Sequence, residues 1–193
     1  MIHLQDDFFE DPYLIRSAAL KSSYASDHEN RWPGWRSLGI PQKIADYLLF
    51  KARSLVGNSS LEFFSSTFQY TTKEFEEGIF HADPHNYICI IYLSLDPSLD
   101  SGTEVCDSDE TLDNIGNNTV EKLDFIKDPY NLIKRYRYDR IRRKVNSHYK
   151  PIMKVPNKFN RGIIFPATNF HRAQHFFGTS IESARMTSVS FFH

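Results

Sequence analysis

The sequence lacks the features that mark several classes of protein. Only two of its 193 residues are cysteine, which excludes the disulfide framework of small secreted domains. No apolar run approaches the roughly eighteen residues of a transmembrane helix. The first residues also lack a basic stretch followed by an apolar one, so no signal peptide is predicted. We therefore expect a cytoplasmic protein with no membrane partner.

The sequence also lacks an excess of charge of either sign. Its formal net charge of −1 gives no long-range field that would attract nucleic acid. Locally, residues 96–128 are acidic and residues 129–150 are basic, and these segments either neutralise each other or face a partner. The basic stretch contains interleaved tyrosines, as some nucleic-acid grooves do. Such runs are usually solvated helix faces, so we expect no nucleic-acid partner.

Aromatic residues are abundant, at 15% of the chain, which favours a β-rich interior. Two helices are predicted before the strands begin. Asp11 caps the first, which runs from Pro12 to about residue 24. Pro41 begins the second, and Gly57 ends it. The Trp-Pro-Gly-Trp-Arg segment between them is either a turn packed on the core or part of a substrate entrance.

Strand patterns follow the helices, and they predict an α+β fold with a mainly β core. We expect the helices to pack on one sheet. Within the basic segment, a helix with a buried edge is predicted from the spacing of Leu132, Ile133, Tyr136 and Ile141. Strands are predicted over residues 61–70, 79–83, 87–95, 102–105, 161–165 and 185–192.

We expect one domain over residues 1–193. Its helical part covers residues 1–58 and its β core covers residues 59–193. A charged insertion at about residues 106–150 interrupts the core.

One His-x-Asp pair, His81 and Asp83, stands at the end of a predicted strand. The two side chains share a face because alternate strand residues point the same way. His171 follows a strand much later in the chain. Two imidazoles and one carboxylate hold iron(II) and leave three positions open, as oxygen activation requires. Arg185 begins the last strand, and its planar guanidinium matches a carboxylate.

Each of these residues also has a structural interpretation. A lone histidine is more often hydrogen-bonded than metal-bound, and an Asp-Pro pair such as Asp83-Pro84 is typical of a turn. His175 is an alternative to His171, and Arg172 is an alternative to Arg185. The order and spacing of the whole set favour the metal site.

The ordered set resembles the Fe(II)- and 2-oxoglutarate-dependent dioxygenases, in their prolyl-hydroxylase-like branch. The resemblance covers about residues 61–193. It depends on the strand that carries Tyr70 before the His-x-Asp pair, on the strand ending in Tyr92-Leu93, and on the turn Ser101-Gly102-Thr103. His171 and Arg185 complete the order.

The resemblance implies a double-stranded β-helix of the jelly-roll or cupin-like type. It implies that His81, Asp83 and His171 are the catalytic metal ligands for Fe(II). It also implies that 2-oxoglutarate is bound by Arg185, Tyr92 and Tyr70. Such an enzyme consumes O2 and 2-oxoglutarate and releases succinate and CO2, and a carboxylate ligand favours hydroxylation over halogenation.

The pattern does not select among prolyl or other peptidyl substrates and small molecules, and nothing in it predicts an oligomeric state. The alternative is a non-catalytic, cupin-like β-sandwich that binds a ligand. The two hypotheses differ in one geometric requirement. The enzyme needs His81, Asp83 and His171 to converge within the bonding distance of one ion, about 2.0–2.2 Å from each ligand atom.

Overall fold

The computed structural model of the chain describes residues 1–26, 33–106 and 132–193. Trp32 and most of the acidic segment, from residue 107 onward, lie outside these ranges. Among the helices that are described, none combines the length and the apolar character needed to cross a membrane.

The described residues form ten strands and three helices, and the fold is mainly β. Every strand pair among them is antiparallel. In chain order the elements are β1 (His3–Gln5), α1 (Pro12–Lys21), β2 (Tyr24–Ser26), β3 (Trp35–Ser37), α2 (Gln42–Val56), β4 (Phe63–Thr71), β5 (Tyr87–Tyr92), β6 (Thr103–Val105), α3 (Leu132–Asn146), β7 (Met153–Val155), β8 (Gly162–Pro166), β9 (His171–Ala173) and β10 (Arg185–Phe192).

The strands form two sheets. The larger has seven strands in the order β1-β8-β5-β10-β4-β3-β2, and the smaller has three in the order β7-β6-β9. The last strand of the chain, β10, therefore lies at the centre of the larger sheet. It pairs with β4 over its whole length and with β5 from Thr187 to Phe192. Because β10 is paired on both sides, the position of Arg185 at its start is fixed.

The two N-terminal helices cover one face of the larger sheet. Asp11 caps α1 as predicted, because its Oδ1 accepts a hydrogen bond from the Leu14 amide at 3.0 Å. Gly57 ends α2 with a left-handed φ of 72°, a conformation that glycine adopts without strain. The helices and the sheet share one apolar cluster, which includes Ile15, Ala19, Leu48, Ala52, Phe68, Ile91 and Met186.

Residues 1–58 are not only helical, which corrects the sequence-based division of the chain. They also contribute β1, β2 and β3 to the larger sheet. Each of these strands has three residues, which is too short for a recognisable alternation of polar and apolar side chains. β1 pairs with β8 and β3 pairs with β4, which are distant in the sequence, whereas β2 pairs with β3.

The buried strand β5 connects the helical layer to the interior between the sheets. Cys89 and Ile91 belong to the cluster under the helices. Ile88 and Ile90, on the opposite face, pack with Val105, Val155 and other residues of the second cluster. Both faces of β5 are thus covered, as its continuous apolar run predicts.

Helix α3 forms in the basic segment, but of the predicted buried edge only Ile141 packs against the core. Leu132, Ile133 and Tyr136 are exposed. The buried positions are Tyr138, Arg142 and Val145, at helical spacing. Arg142 tolerates burial because Glu76, Glu77 and Asp139 all lie within 3.3 Å of its guanidinium. The buried face of α3 therefore includes an ion-paired arginine, Arg142, where a helical pattern would predict an apolar residue.

The segment before Asp83 is not a strand, contrary to the prediction for residues 79–83. His81 forms one isolated antiparallel bridge with His171, and no ladder continues from it. The convergence of the histidines therefore depends on this bridge and not on strand alternation.

Candidate metal centre

His81 and His171 are held side by side through their backbones. The His81 amide donates to the His171 carbonyl at 3.1 Å, and the His171 amide donates to the His81 carbonyl at 2.8 Å. Their imidazole rings lie with centroids 4.4 Å apart. His171 begins β9 at the edge of the smaller sheet, opposite Val105 of β6. The short strand therefore presents this imidazole to the loop that carries His81.

Asp83 reaches the same point from the loop after His81. Its amide donates to the Ala167 carbonyl at 2.9 Å, which fixes the backbone at this residue. Its Oδ2 atom lies 3.4 Å from His171 Nε2 and 3.8 Å from His81 Nε2. Three potential ligand atoms, one from each residue, all lie within 4.8 Å of one another.

Both imidazoles are oriented by backbone carbonyls on their far side. His81 Nδ1 lies 2.8 Å from the Ile79 carbonyl, and His171 Nδ1 lies 2.9 Å from the Asn169 carbonyl. A carbonyl only accepts hydrogen bonds, so each Nδ1 carries the proton. The unprotonated Nε2 of each ring then lies on the side of Asp83, which is the orientation that metal-binding histidines adopt.

The electrostatics of the site favour the protonation states that a metal needs. Burial lowers the pKa of His81 to about 4, and the neighbouring His171 adds to this effect. Burial alone would raise the pKa of Asp83, but the two imidazoles outweigh it and lower that pKa to about 2. At neutral pH the site thus holds a neutral His81 imidazole and a carboxylate, both competent as ligands.

The side chains fit a bound metal ion. The buried Oδ2 of Asp83 accepts no hydrogen bond from the described residues, which is unusual for a buried charged atom. Ligands about 2.1 Å from one ion and at right angles to each other lie roughly 3 Å apart, somewhat less than the 3.4 and 3.8 Å that separate Asp83 Oδ2 from the two imidazoles. A set of two imidazoles and one carboxylate on one side is typical of non-haem iron(II) sites with open positions.

The three ligands line a cavity of about 210 Å³, and Arg185 lines the same cavity. The Arg185 guanidinium is buried. Its Nε donates to the Ser101 carbonyl at 2.8 Å, and Nη2 donates to the Gly102 carbonyl at 3.2 Å. No carboxylate among the described residues lies within 4.0 Å of it. Burial lowers the pKa of Arg185 for this reason, although arginine stays charged at any physiological pH.

Tyr92 lies beside this guanidinium, and Tyr70 does not. The Arg185 guanidinium carbon is 5.6 Å from the centroid of the Tyr92 ring. The Tyr92 hydroxyl donates to Thr103 Oγ1 at 2.8 Å, and Thr103 lines the cavity. Tyr70 instead stacks on Trp35 with centroids 4.8 Å apart. It points away from the cavity, which its strand neighbours Gln69 and Thr71 line.

The alternative residues named from the sequence have other surroundings. Arg172 donates from Nε to Glu104 Oε2 at 2.7 Å, and its Nη1 lies 2.9 Å from Glu77 Oε1. His175 is exposed and does not belong to the metal-binding group. Arg172 thus has two carboxylate partners, whereas Arg185 has carbonyl partners only.

Sequence reasoning missed several residues of the cavity, although signals for some of them exist. Thr187, Val189 and Phe191 share the face of Arg185 along β10 and line the cavity with it. Pro33 and Arg36 line it too, which agrees with the substrate-entrance alternative for their segment. His85 also lines the cavity, two residues beyond Asp83.

No protein-family model matches the sequence, and no curated protein matches it. Solved structures do match the fold. HygX from Streptomyces hygroscopicus, with nickel and 2-oxoglutarate bound, aligns with a TM-score of 0.62 at 14% identity, over 99% of this chain and 82% of that chain. The non-haem alpha-ketoglutarate-dependent carbocyclase SnoK from nogalamycin biosynthesis aligns with a TM-score of 0.60 at 11% identity, over 99% and 78%.

A prolyl hydroxylase from Trichoplax adhaerens, in complex with a peptide fragment of hypoxia inducible factor, aligns with a TM-score of 0.57 at 11% identity, over 99% of this chain and 83% of that chain. The chain has the fold of the Fe(II)- and 2-oxoglutarate-dependent oxygenases. This oxygenase fold is shared with enzymes of different substrates, so it does not itself define a reaction.

Proposed function

We propose that the chain is an Fe(II)- and 2-oxoglutarate-dependent oxygenase that hydroxylates a small-molecule or peptidyl substrate. One observation carries this proposal. A converged His-Asp-His group and a buried arginine without a carboxylate partner line the same cavity. A metal and a dicarboxylate together would satisfy the unpartnered Asp83 oxygen and the Arg185 charge.

We further propose that the two sheets are the two halves of a double-stranded β-helix. The larger sheet contributes β5, β8, β10 and β4, and the smaller contributes β6, β7 and β9. The metal-binding residues then lie at one end of the space between the sheets. Core residues from both sheets, among them Ile90 and Val155, support this arrangement.

His81, Asp83 and His171 would hold the iron, since their donor atoms are two neutral imidazole nitrogens and one carboxylate oxygen. A bound iron(II) would supply the redox chemistry by which O2 and 2-oxoglutarate yield succinate, CO2 and a hydroxylated product. The protein contributes the three ligands in fixed orientation, because the Ile79 and Asn169 carbonyls hold the two rings. Asp83 would supply a carboxylate ligand where a halide could otherwise bind, which favours hydroxylation.

Arg185 would bind the far carboxylate of 2-oxoglutarate. Its Nε and Nη2 atoms already donate to carbonyls, so the guanidinium is fixed in orientation before the dicarboxylate arrives. Nη1 makes no hydrogen bond among the described residues, and Tyr92 and Thr103 provide hydroxyl groups nearby. A guanidinium that is buried without a counter-charge gains more from a carboxylate than a solvated one does.

The direct test is succinate formation from 2-oxoglutarate by the purified chain with added Fe(II) in air, without a substrate. We expect slow succinate release that His81→Ala reduces to background, whereas His175→Ala leaves it unchanged. The matched variant removes a histidine that is exposed and outside the cavity. No succinate from the intact protein at saturating Fe(II) and 2-oxoglutarate would contradict the proposal and favour a non-catalytic binding module.

A further inference from the structure

We propose that Phe64, His85, Phe191 and His193, here named the aromatic cluster, form a subsite that stacks an uncharged aromatic ring of the substrate. The inference rests on the proposed function, because it assigns the substrate class of that same cavity. It predicts that the substrate carries a flat π-ring close to the carbon that reacts.

The four rings contact one another at the surface. Phe64 lies 4.5 Å from His85 and 4.8 Å from His193, measured between ring centroids. His85 lies 4.6 Å from Phe191 and 5.0 Å from His193. These are the separations at which aromatic rings attract each other through stacked or edge-to-face contact. The cluster is therefore a continuous aromatic surface and not a set of separate side chains.

The aromatic cluster adjoins the metal centre. His85 and Phe191 line the cavity that contains the metal ligands. His85 follows Asp83 by two residues in the same loop. This loop is fixed at both ends, because the Asp83 amide donates to the Ala167 carbonyl at 2.9 Å and the Asn86 amide donates to the Phe192 carbonyl at 3.1 Å. A ring bound on the cluster is thus held at a fixed distance from the metal.

A β-bulge directs Phe64 to this surface. Ser65 pairs with Phe191, but Phe63 pairs with Phe192, so Phe64 is an extra residue of β4 at this point. Phe63 packs on Phe192 in the cluster under the helices, with centroids 6.0 Å apart, whereas Phe64 contacts His85. Bulges commonly re-aim a side chain near a functional site. Phe64 remains 56% exposed, which is a cost in water unless a partner covers the ring.

His193 is also held in place. Its amide donates to the Glu62 carbonyl at 3.0 Å, and the Glu62 amide donates to the His193 carbonyl at 2.8 Å. The backbone that carries the ring is therefore ordered, and the ring's Nε2 lies 3.4 Å from His85 Nδ1. A surface whose rings are ordered before binding loses little conformational entropy when a ligand stacks on it.

The end of the cavity opposite the aromatic cluster contains the Arg185 guanidinium. The proposed 2-oxoglutarate site and the proposed ring subsite are therefore separate. Arg185 and Phe191 lie on the same face of β10, six residues apart, and this corresponds to roughly 20 Å along a strand. Two cavity residues lie between them on this face, the polar Thr187 and the apolar Val189, and Ile88, which pairs with Phe191, is apolar too. Along β10 the lining thus changes from a guanidinium and a hydroxyl to aliphatic and then aromatic side chains, which suits a dicarboxylate at one end and an uncharged ring at the other.

The test compares two probes that differ only in aromaticity, N-acetyl-L-phenylalaninamide and N-acetyl-L-cyclohexylalaninamide. Dissociation constants are measured by saturation-transfer NMR on the full chain with 2-oxoglutarate and zinc(II), which is diamagnetic and does not support turnover. We expect the aromatic probe to bind at least about fivefold more tightly than the saturated one, because stacking on aromatic side chains is specific to π-faces.

Two substitutions at the bulge separate stacking from general burial. Phe64→Leu keeps an apolar side chain without a ring, and we expect it to remove the preference. Phe64→Tyr keeps the ring and should retain the preference. The matched control is Phe50→Ala on α2, which removes a similarly exposed phenylalanine far from the cavity lining and should behave like the intact protein.

Equal affinity for the two probes overturns the inference, as does failure of the intact protein to bind either probe up to its solubility limit. A preference that survives in Phe64→Leu also overturns it. These outcomes are distinct from failure of the proposed function, which is measured on the intact protein by succinate release without any probe. Normal succinate release with no ring preference removes only the aromatic subsite.

Discussion

Glu104 and Arg172 face each other across the β6–β9 ladder, one residue from the candidate metal ligand His171. Glu104 pairs with Arg172 in register, and Val105 pairs with His171. Arg172 Nε donates to Glu104 Oε2 at 2.7 Å, and Lys154 Nζ lies 2.7 Å from Glu104 Oε1. The carboxylate is almost completely buried. A charged cluster between three short strands therefore fixes the strand that presents His171.

We predict that Glu104→Gln destabilises the protein by about 3 kcal/mol, because breaking one partner of a buried ion pair leaves the other without compensation. The free energy of unfolding is measured by urea denaturation of the metal-free protein. Glu10→Gln, at an exposed position, is the matched control and should change it by less than about 0.5 kcal/mol. A loss no larger than that of the control would show that the ion pair does not stabilise β9.

Gly102 gives a second prediction, since the turn before β6 has no space for a side chain. A Cβ atom at this position would lie 1.8 Å from the Val155 carbonyl oxygen. The same turn supplies the Ser101 and Gly102 carbonyls that hold Arg185. We expect Gly102→Ala to lower the free energy of unfolding by at least about 3 kcal/mol, since backbone must move.

Gly39→Ala is the control for this turn, because nothing lies within 4 Å of a Cβ atom there. It should be neutral or slightly stabilising. Similar melting temperatures for the two variants would contradict the close approach at Gly102.

Arg185 is predicted to determine the affinity for 2-oxoglutarate. We expect Arg185→Met to raise the KM for 2-oxoglutarate at least about tenfold, because charge-assisted hydrogen bonds to a carboxylate are lost. Arg185→Lys should have a KM for 2-oxoglutarate between those of the intact protein and Arg185→Met, since lysine keeps the charge and loses the planar fork. The measurement is the dependence of succinate formation on 2-oxoglutarate concentration.

Arg36→Met serves as the comparison, because Arg36 is the second arginine of the cavity. We expect it to raise the KM for 2-oxoglutarate much less than Arg185→Met does. A larger effect at Arg36 would mean that the co-substrate lies on the other side of the cavity.

Asp6 predicts a pH dependence of stability. Its carboxylate accepts hydrogen bonds from Arg161 Nε at 2.6 Å and Lys158 Nζ at 2.8 Å, and these partners hold its pKa well below the usual range. A carboxyl whose pKa is lower in the folded state stabilises the protein fully above its unfolded-state pKa, and this contribution is lost as pH falls through and below about 4.

The intact protein should therefore be more stable than Asp6→Asn at pH 6, and the difference should shrink steadily below pH 4. Thermal unfolding of both proteins across this pH range measures it. A difference that stays constant from pH 6 to pH 2 would show that the ionised carboxylate contributes nothing.

The sequence predicted the long elements better than the path that brings His81, Asp83 and His171 together. β10 runs over Arg185–Phe192 as its alternation indicates, and the face that carries Arg185 lines the cavity. A regular period over eight residues is a strong signal. His81 and Asp83 were identified from spacing, but through a strand that does not exist, since a single bridge to His171 aligns the loop instead.

What the sequence could not predict depends on contacts between distant residues. The burial of Arg142 in α3 requires Glu76 and Glu77, which no helical period reveals. The exposure of Phe64 on the cavity side requires a bulge whose register is set by β10. Local patterns define elements, whereas these features arise from pairing across the fold.

The most direct test of the central claim is a calorimetric titration of the metal-free protein with Fe(II) under anaerobic conditions. We predict one ion per chain, at least about tenfold weaker binding in each of His81→Ala, Asp83→Ala and His171→Ala, and unchanged binding in His175→Ala. Binding in His171→Ala with the affinity and stoichiometry of the intact protein would contradict the claim that these three distant residues hold one ion.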